Sequence, residues 1–274
     1  MAVSFSLKPE QRALLTPVGR LSTSRMCWAG CAFCRLAISS PRMSLPDAPA
    51  GLSEDRLQSD DIAWDAAAFL KLRGGLSIKE PFDYWLHLIR RIKEYSQAPL
   101  MAFSPVEVWY FHTQERRPVR ELVRLLKWAG ADFLGSGGAE LWLSGLPLEW
   151  APYRLTQSEW LTVADAARAA DLRFAASILV PPTGLSLSPD SIKVLQDVKP
   201  HHLDVKPLVS DGTHLGALGN ANVVVTASSV NQLRQHLPDV PVYVDWAEEP
   251  EDTDAIFGSA GAERVLVPIW EVLP

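Results

Sequence analysis

Leu100-Met101-Ala102-Phe103-Ser104, an amphipathic stretch over 119–129 and the run Asp132-Phe133-Leu134 decide the fold of this 274-residue chain. A short apolar run, a helical-period stretch and a second apolar run make one βα unit. The same alternation continues in both directions. Upstream, Ala67-Ala68-Phe69-Leu70-Lys71-Leu72-Arg73 reads as a strand closed by Gly74-Gly75. The helix that follows spans 81–95, with Phe82, Trp85, Leu86, Ile89 and Ile92 at helical spacing. Further upstream lie a first run at 20–26, a Pro/Ser-rich loop over 39–52 and a helix near 53–65. Downstream, a helix over 157–170 precedes the strand Phe174-Ala175-Ala176-Ser177-Ile178-Leu179-Val180. Later apolar runs are His202-Leu203-Asp204-Val205, Val223-Val224-Val225-Thr226, Val242-Tyr243-Val244-Asp245 and Val265-Leu266-Val267-Pro268. Eight or nine strands separated mostly by helices predict an α/β protein with a parallel sheet, because parallel strands need crossovers. That number of units predicts a (β/α) TIM-like barrel, closed or nearly so, formed by residues 1–274 as a single domain. The alternative is an open six-stranded partial barrel with the C-terminal strands appended.

Composition narrows the class. Hydrophobic residues make up 47% and charged residues 21% of the chain, enough to bury a sizeable core. The net charge is −6, with no basic run, which argues against nucleic acid as a partner. No apolar stretch is long enough to span a bilayer, and the first residues do not read as a signal peptide. The expectation is a cytoplasmic protein, away from membranes.

All three cysteines fall within eight residues, in Met26-Cys27-Trp28-Ala29-Gly30-Cys31-Ala32-Phe33-Cys34. Three thiolates at C-x3-C-x2-C spacing can hold three irons of a 4Fe–4S cube and leave the fourth open to a small molecule. A disulfide would leave one thiol over. A structural zinc would need a fourth ligand from His87, His112, His201, His202, His214 or His236, none of them near the cysteines in sequence. Zinc and inert thiols remain the alternatives to a cluster.

In a barrel, chemistry gathers where strands end, and four features fall there: the cysteines, Gly74-Gly75, Ser104-Pro105-Val106-Glu107 and Gly135-Ser136-Gly137-Gly138-Ala139-Glu140. Glycines at a strand end admit a ligand close to the backbone, or make an ordinary turn. Ser104 and Glu107 can hydrogen-bond a polar cofactor, or start a turn and carry an exposed charge. The glycine run can offer free amides as an anion-binding nest, with Glu140 beside it, or be a flexible loop. Trp85, Trp128 and Trp160 sit at spacings that suggest core or inter-helix packing. His201 and His202 should point in opposite directions on a strand, a poor joint metal site, and Asp204 and Asp245 are weaker site candidates.

These residues resemble the radical S-adenosylmethionine (SAM) superfamily, whose cluster loop has this cysteine spacing and an aromatic residue before the last cysteine. Within it, the stretch from Phe69 to about Ile178 resembles the aminofutalosine synthase, cyclic dehypoxanthine futalosine synthase and FO synthase subunit 2 group. The likeness rests on Gly74-Gly75-Leu76 with Pro81-Phe82-Asp83-Tyr84-Trp85-Leu86, on Ala102-Phe103-Ser104-Pro105-Val106-Glu107-Val108, on Leu126-Lys127-Trp128-Ala129-Gly130-Ala131-Asp132 running into Gly137-Gly138-Ala139-Glu140, and on Glu159-Trp160-Leu161. The resemblance implies a 4Fe–4S cluster on Cys27, Cys31 and Cys34 with SAM on the open iron. One electron, from a donor such as flavodoxin or ferredoxin, would cleave SAM to methionine and a 5′-deoxyadenosyl radical. That radical would act on a small-molecule substrate, a polar metabolite of the futalosine-type menaquinone precursors. Gly74, Gly75, Ser104, Glu107, Gly137, Gly138 and Glu140 would bind SAM or substrate.

The chain also departs from the group, as a short divergent member. Ser77-Ile78 stand where the group has His-Pro, and Gly135-Ser136 precede Gly137-Gly138 where it has Pro-Gly-Gly-Gly. A Val-Arg pair after that loop has no match in Leu146-Pro147-Leu148-Glu149. Val180-Pro181-Pro182-Thr183-Gly184 replace a Gly-His-x-Glu. These changes keep open a second reading, a cluster-binding paralogue that no longer turns over and serves as partner or scaffold of an active enzyme.

Overall fold

The computed structural model describes residues 70–72, 81–95, 97, 99–147, 155–208, 219–245 and 253–266. The cysteines, Gly74-Gly75, the run at 20–26 and the helix near 53–65 lie outside the described residues.

Seven short strands carry the fold: β1 (Leu70–Leu72), β2 (Leu100–Ala102), β3 (Phe133–Leu134), β4 (Arg173–Val180), β5 (His202–Pro207), β6 (Val242–Asp245) and β7 (Arg264–Leu266). They pair in sequence order, every neighbour parallel. The eight helices among the described residues are α1 (Phe82–Tyr95), α2 (Pro105–Glu115), α3 (Val119–Ala129), α4 (Glu140–Leu143), α5 (Gln157–Ala169), α6 (Pro189–Val198), α7 (Val223–His236) and α8 (Thr253–Ser259). Sequential order has a direct consequence. Crossovers between parallel strands are right-handed, so a strand order that never reverses puts all the helices on one face. A doubly wound sheet reverses its order and covers both faces. The sheet is therefore the wall of a (β/α) barrel, and among the described residues β1 and β7 are its edges.

The two faces of the wall differ in chemistry. Outward, Leu100, Ala102, Leu134, Ala176, Ile178, Leu203, Val205 and Val244 pack against helix residues such as Ile89, Leu122, Leu126, Val163 and Leu233 in one apolar core. Inward, Met101, Phe133, Ala175 and Tyr243 form a small separate cluster. Register places Ser177, Asp204 and Tyr243 side by side on this inner face, with His202 opposite Ala175.

Local chemistry explains the helices that place the site. α3 buries Val119, Leu122, Val123, Leu126 and Ala129, an apolar stripe at helical spacing. It stops at Gly130, whose φ of 113° lets its N–H return to the carbonyls of Leu126 and Lys127. Asp132 then accepts Lys93 Nζ at 3.0 Å and the Leu100 N–H at 2.9 Å, which fixes α1 against the starts of β2 and β3.

One expected strand is a helix. Val223-Val224-Val225-Thr226 forms the first turn of α7, because Asn222 caps it: its side chain accepts the Val225 N–H at 2.9 Å. Thr226, Ser229, Val230 and Leu233 then supply a buried stripe of period 3.6, which outweighs the β preference of the valines. Trp85 and Trp160 are core residues as expected, but Trp128 is 71% exposed. Its packing is purely inter-helix, with the Arg90 guanidinium of α1 lying 4.4 Å from its ring centre.

Candidate functional site

The ends of β2 and β3 meet. Phe103, just past β2, has φ of 63°, a left-handed conformation rare for an aromatic residue. It is held there by its N–H to the Leu72 carbonyl and by an aromatic nest of Phe82, Trp85 and Phe111. This turn aims Ser104 at the loop after β3. Ser104 is the N-cap of α2, with Pro105 in the first turn. The Glu107 carboxylate takes both the Ser104 N–H, at 2.6 Å, and the Ser104 hydroxyl, at 2.8 Å. Glu107 is 1% exposed. The pattern Ser-Pro-x-Glu is a capping-box signature that could have announced α2 from sequence.

The glycine run is packed where a flexible loop was the alternative to a nest. All six residues from 135 to 140 are buried. The reason is steric. A Cβ on Gly135 would lie 2.7 Å from the Phe103 carbonyl oxygen, and one on Gly138 would lie 3.0 Å from Val106 Cγ2. A Cβ on Gly137 would meet Ser104 Cβ at 3.2 Å and Glu140 Oε1 at 3.6 Å. Gly137 and Gly138 also have positive φ, 139° and 91°. The nest turns part of its amide array inward: the Gly138 N–H donates to Glu140 Oε2 at 2.7 Å. From behind, the buried Trp160 Nε1–H donates to the Gly137 carbonyl at 3.2 Å. The structure thus gathers Ser104, Glu107, Gly137, Gly138 and Glu140 into one corner at the C-terminal rim.

A second polar group lies lower on the inner wall. His202 Nε2 is 3.2 Å from Asp204 Oδ1, and the Ser136 hydroxyl donates to Asp204 Oδ2. All three residues are at most 1% exposed. Tyr243 stacks on the His202 ring at 4.5 Å. Ser177, opposite Asp204 in register, is fully buried, and its hydroxyl has no hydrogen-bond partner among the described residues. The two histidines do not diverge as the strand rule predicted. His201 precedes β5, so alternation does not bind it. Its Nδ1 lies 3.4 Å from His202 Nδ1, and both rings pack on Phe133. Burial, followed by the charges of His202 and Arg173, lowers the His201 pKa from its ordinary value.

Buried carboxylates on two strand ends and on the wall make this rim electronegative. Such a surface suits the sulfonium and ammonium groups of SAM, and three thiolates are a cluster donor set, so the chain's residues fit both groups. Among the described residues no group of three or more His, Cys, Asp or Glu side chains is placed to hold a metal ion, and the cysteines lie outside them. No described helix is long and apolar enough to cross a membrane.

No protein-family model matches the chain. The crystal structure of methylornithine synthase superposes with a TM-score of 0.60 at 16% identity, over 97% of this chain and 75% of that one. The fold is accordingly a (β/α) barrel of that type, as the sequence predicted. An aminodeoxyfutalosine synthase from Thermus thermophilus is 27% identical over 161 residues, 53% of this chain and 38% of the relative. A cyclic dehypoxanthine futalosine synthase from Halalkalibacterium halodurans is 28% identical over 110 residues, 40% of this chain and 30% of the relative. An FO synthase from Mycobacterium tuberculosis is 25% identical over 166 residues, 58% of this chain and 18% of the relative. The chain is thus similar over part of its length to futalosine synthases and FO synthase, and its matches span less than half the length of these curated relatives.

Proposed function

We propose that this chain is a radical SAM enzyme that acts on a small polar metabolite of the futalosine type, in the cytoplasm, with a flavodoxin or ferredoxin as electron donor. The observation that carries the reading is the C-x3-C-x2-C spacing of Cys27, Cys31 and Cys34, in a chain whose barrel rim presents buried carboxylates at consecutive strand ends. Cys27, Cys31 and Cys34 hold the cluster. When bound, the cluster and SAM supply one-electron cleavage chemistry. The protein's part is orientation and exclusion of water. Gly74 and Gly75, which follow β1 in sequence, would let a ligand approach the backbone closely, since neither carries a side chain. Glu107, held by Ser104, and Glu140, held by the Gly138 amide, present fixed negative charge to a cationic ligand. Because both carboxylates are already oriented by the backbone, ligand binding does not have to order them.

The test is anaerobic reconstitution with iron and sulfide, then dithionite and SAM, with 5′-deoxyadenosine measured by chromatography. The expected result is visible-band absorbance from the cluster and 5′-deoxyadenosine above a Cys31→Ala control. Stoichiometric zinc without iron, or a loaded cluster that yields no 5′-deoxyadenosine, would overturn the reading. The second of these outcomes would favour a non-catalytic paralogue.

A further inference from the structure

We propose that Asp204 is a positioning residue that locks the 135–140 loop to the inner wall of the barrel, a device that works through Ser136. The proposal starts from a mismatch. A carboxylate at 1% exposure in a barrel interior is costly unless donors surround it. Asp204 meets a hydrogen-bond donor from another part of the chain and a close ring contact from its own strand. The Ser136 hydroxyl comes from the loop after β3 and reaches Oδ2. His202 comes from its own strand and lies against Oδ1 at 3.2 Å. The His202 ring is itself fixed by the stack on Tyr243 of β6 and by Phe133 of β3. Asp204 is therefore packed against a fixed ring on its own side, and Ser136 is the side on which that constraint is passed on.

What Ser136 passes it to is the corner described above. Gly137 and Gly138 follow directly, then Glu140, whose carboxylate closes on the Gly138 amide. Gly137 and Gly138 have φ values of 139° and 91°, a conformation with little steric preference of its own in a glycine pair. Such a segment needs external anchors to hold one shape. The described residues supply three: Gly135 N–H to the Phe103 carbonyl, Trp160 to the Gly137 carbonyl, and Ser136 to Asp204. The first uses a carbonyl just past β2 and the second a side chain on α5. The third is the only one of the three with a charged acceptor, and charge-assisted bonds are the stronger kind.

The cofactor consequence rests on the proposed function, whereas the lock itself does not, and the experiment separates the two. Ser136→Ala, Ser136→Thr and Asp204→Asn are made in the full chain. Backbone hydrogen exchange of the 135–140 segment is measured in protein as isolated, and SAM dissociation constants and the kcat-against-KM split after cluster reconstitution. Losing one bond to a buried charge should speed exchange in that segment by about tenfold or more in Ser136→Ala and leave α3 unchanged. The KM for SAM should rise by a similar factor, roughly tenfold, with kcat changed less and cluster content unaltered. Ser136→Thr keeps the hydroxyl and should restore both. Asp204→Asn should match Ser136→Ala if it folds; if it does not, the serine pair alone decides. Unchanged exchange in Ser136→Ala would overturn the lock. Faster exchange with an unchanged KM would overturn its role toward SAM. A wild-type protein that binds no SAM after loading would sink the proposed function, and the exchange comparison would still decide the lock.

Discussion

Replacing Gly135 with alanine adds one methyl group at the point where β2 and β3 hand over to the rim. The new Cβ would lie 2.7 Å from the Phe103 carbonyl oxygen, against 3.4 Å or more for an ordinary contact, and 3.2 Å from Met101 Cγ. The methionine can yield, because its side chain is flexible. The carbonyl cannot yield cheaply. It is the acceptor of the Gly135 N–H at 2.6 Å, and its residue is fixed by the Leu72 hydrogen bond and the aromatic nest. Relief therefore breaks a buried hydrogen bond, at about 1 kcal/mol, or strains a packed strand end, at roughly 1–3 kcal/mol. Either way the cost, about 1–3 kcal/mol, corresponds to a melting temperature lower by roughly 2–12 °C. Gly258, in α8, is the control: a Cβ there meets nothing within 4 Å. Gly258→Ala should leave the protein unchanged or stabilise it by about 0.5–1 kcal/mol, because alanine loses less entropy on folding. Thermal and denaturant unfolding of both variants beside wild type reads the contrast. The rim loop must also move by several tenths of an ångström, so 5′-deoxyadenosine formation at a temperature where Gly135→Ala is folded should fall by about tenfold or more. A Gly135→Ala protein as stable as wild type, or one no less stable than Gly258→Ala, would refute the steric account of this loop.

Two further predictions concern single groups. Glu107→Ala leaves the Ser104 N–H and hydroxyl without their buried acceptor and should cost about 1–3 kcal/mol in denaturant unfolding, while Glu107→Gln keeps an acceptor oxygen and should recover part of it. Equal losses in the two variants would show that the carboxylate is not satisfying those donors. The lowered pKa of His201 sets a pH dependence. The unfolded chain takes up this proton near the ordinary histidine value and the folded chain only at lower pH, so stability is full above about pH 6.5 and is lost as pH falls through the folded value. His201→Asn should flatten that loss between about pH 7 and about pH 5, measured as denaturant midpoints; an unchanged slope would place the titrating group elsewhere.

The elements legible in the sequence are those whose signal is local. α1, α3 and α5 follow from apolar spacing, and β2, β4 and β6 from short apolar runs, each within a few residues of the expected bounds. The misreading at 223–226 has a physical source: three valines and a threonine carry a strand preference, but the decision rested on Asn222 before them and on a buried stripe that reaches Leu233. A window of four residues contains neither. α2 was missed for a different reason. Ser104-Pro105-Val106-Glu107 also reads as a ligand-binding strand end, and the same hydroxyl and carboxylate that could meet a cofactor begin a helix with each other. The two readings are compatible, because a carboxylate held by its own backbone is a better-placed ligand group than a loose one.

The inner wall was the hardest part to see, although its signal is present. Central strands of a parallel sheet are usually apolar on both faces, because helices or neighbouring strands cover each side. β5 breaks that rule in His202-Leu203-Asp204-Val205. Leu203 and Val205 enter the outer core, while His202 and Asp204 turn inward, both essentially unexposed. β4 shows the same division more quietly, with Ala176 and Ile178 outward and Ala175 and Ser177 inward. An ordinary barrel interior is filled by branched apolar side chains. A buried imidazole, carboxylate and hydroxyl in its place cost stability unless each finds partners, and natural chains keep such groups where they position chemistry. Alternating polarity in a strand that should be apolar throughout is thus a site signal in its own right. In this chain it marks Asp204, one residue on a strand that composition and spacing had ranked low, as the link between the barrel wall and the loop at its rim.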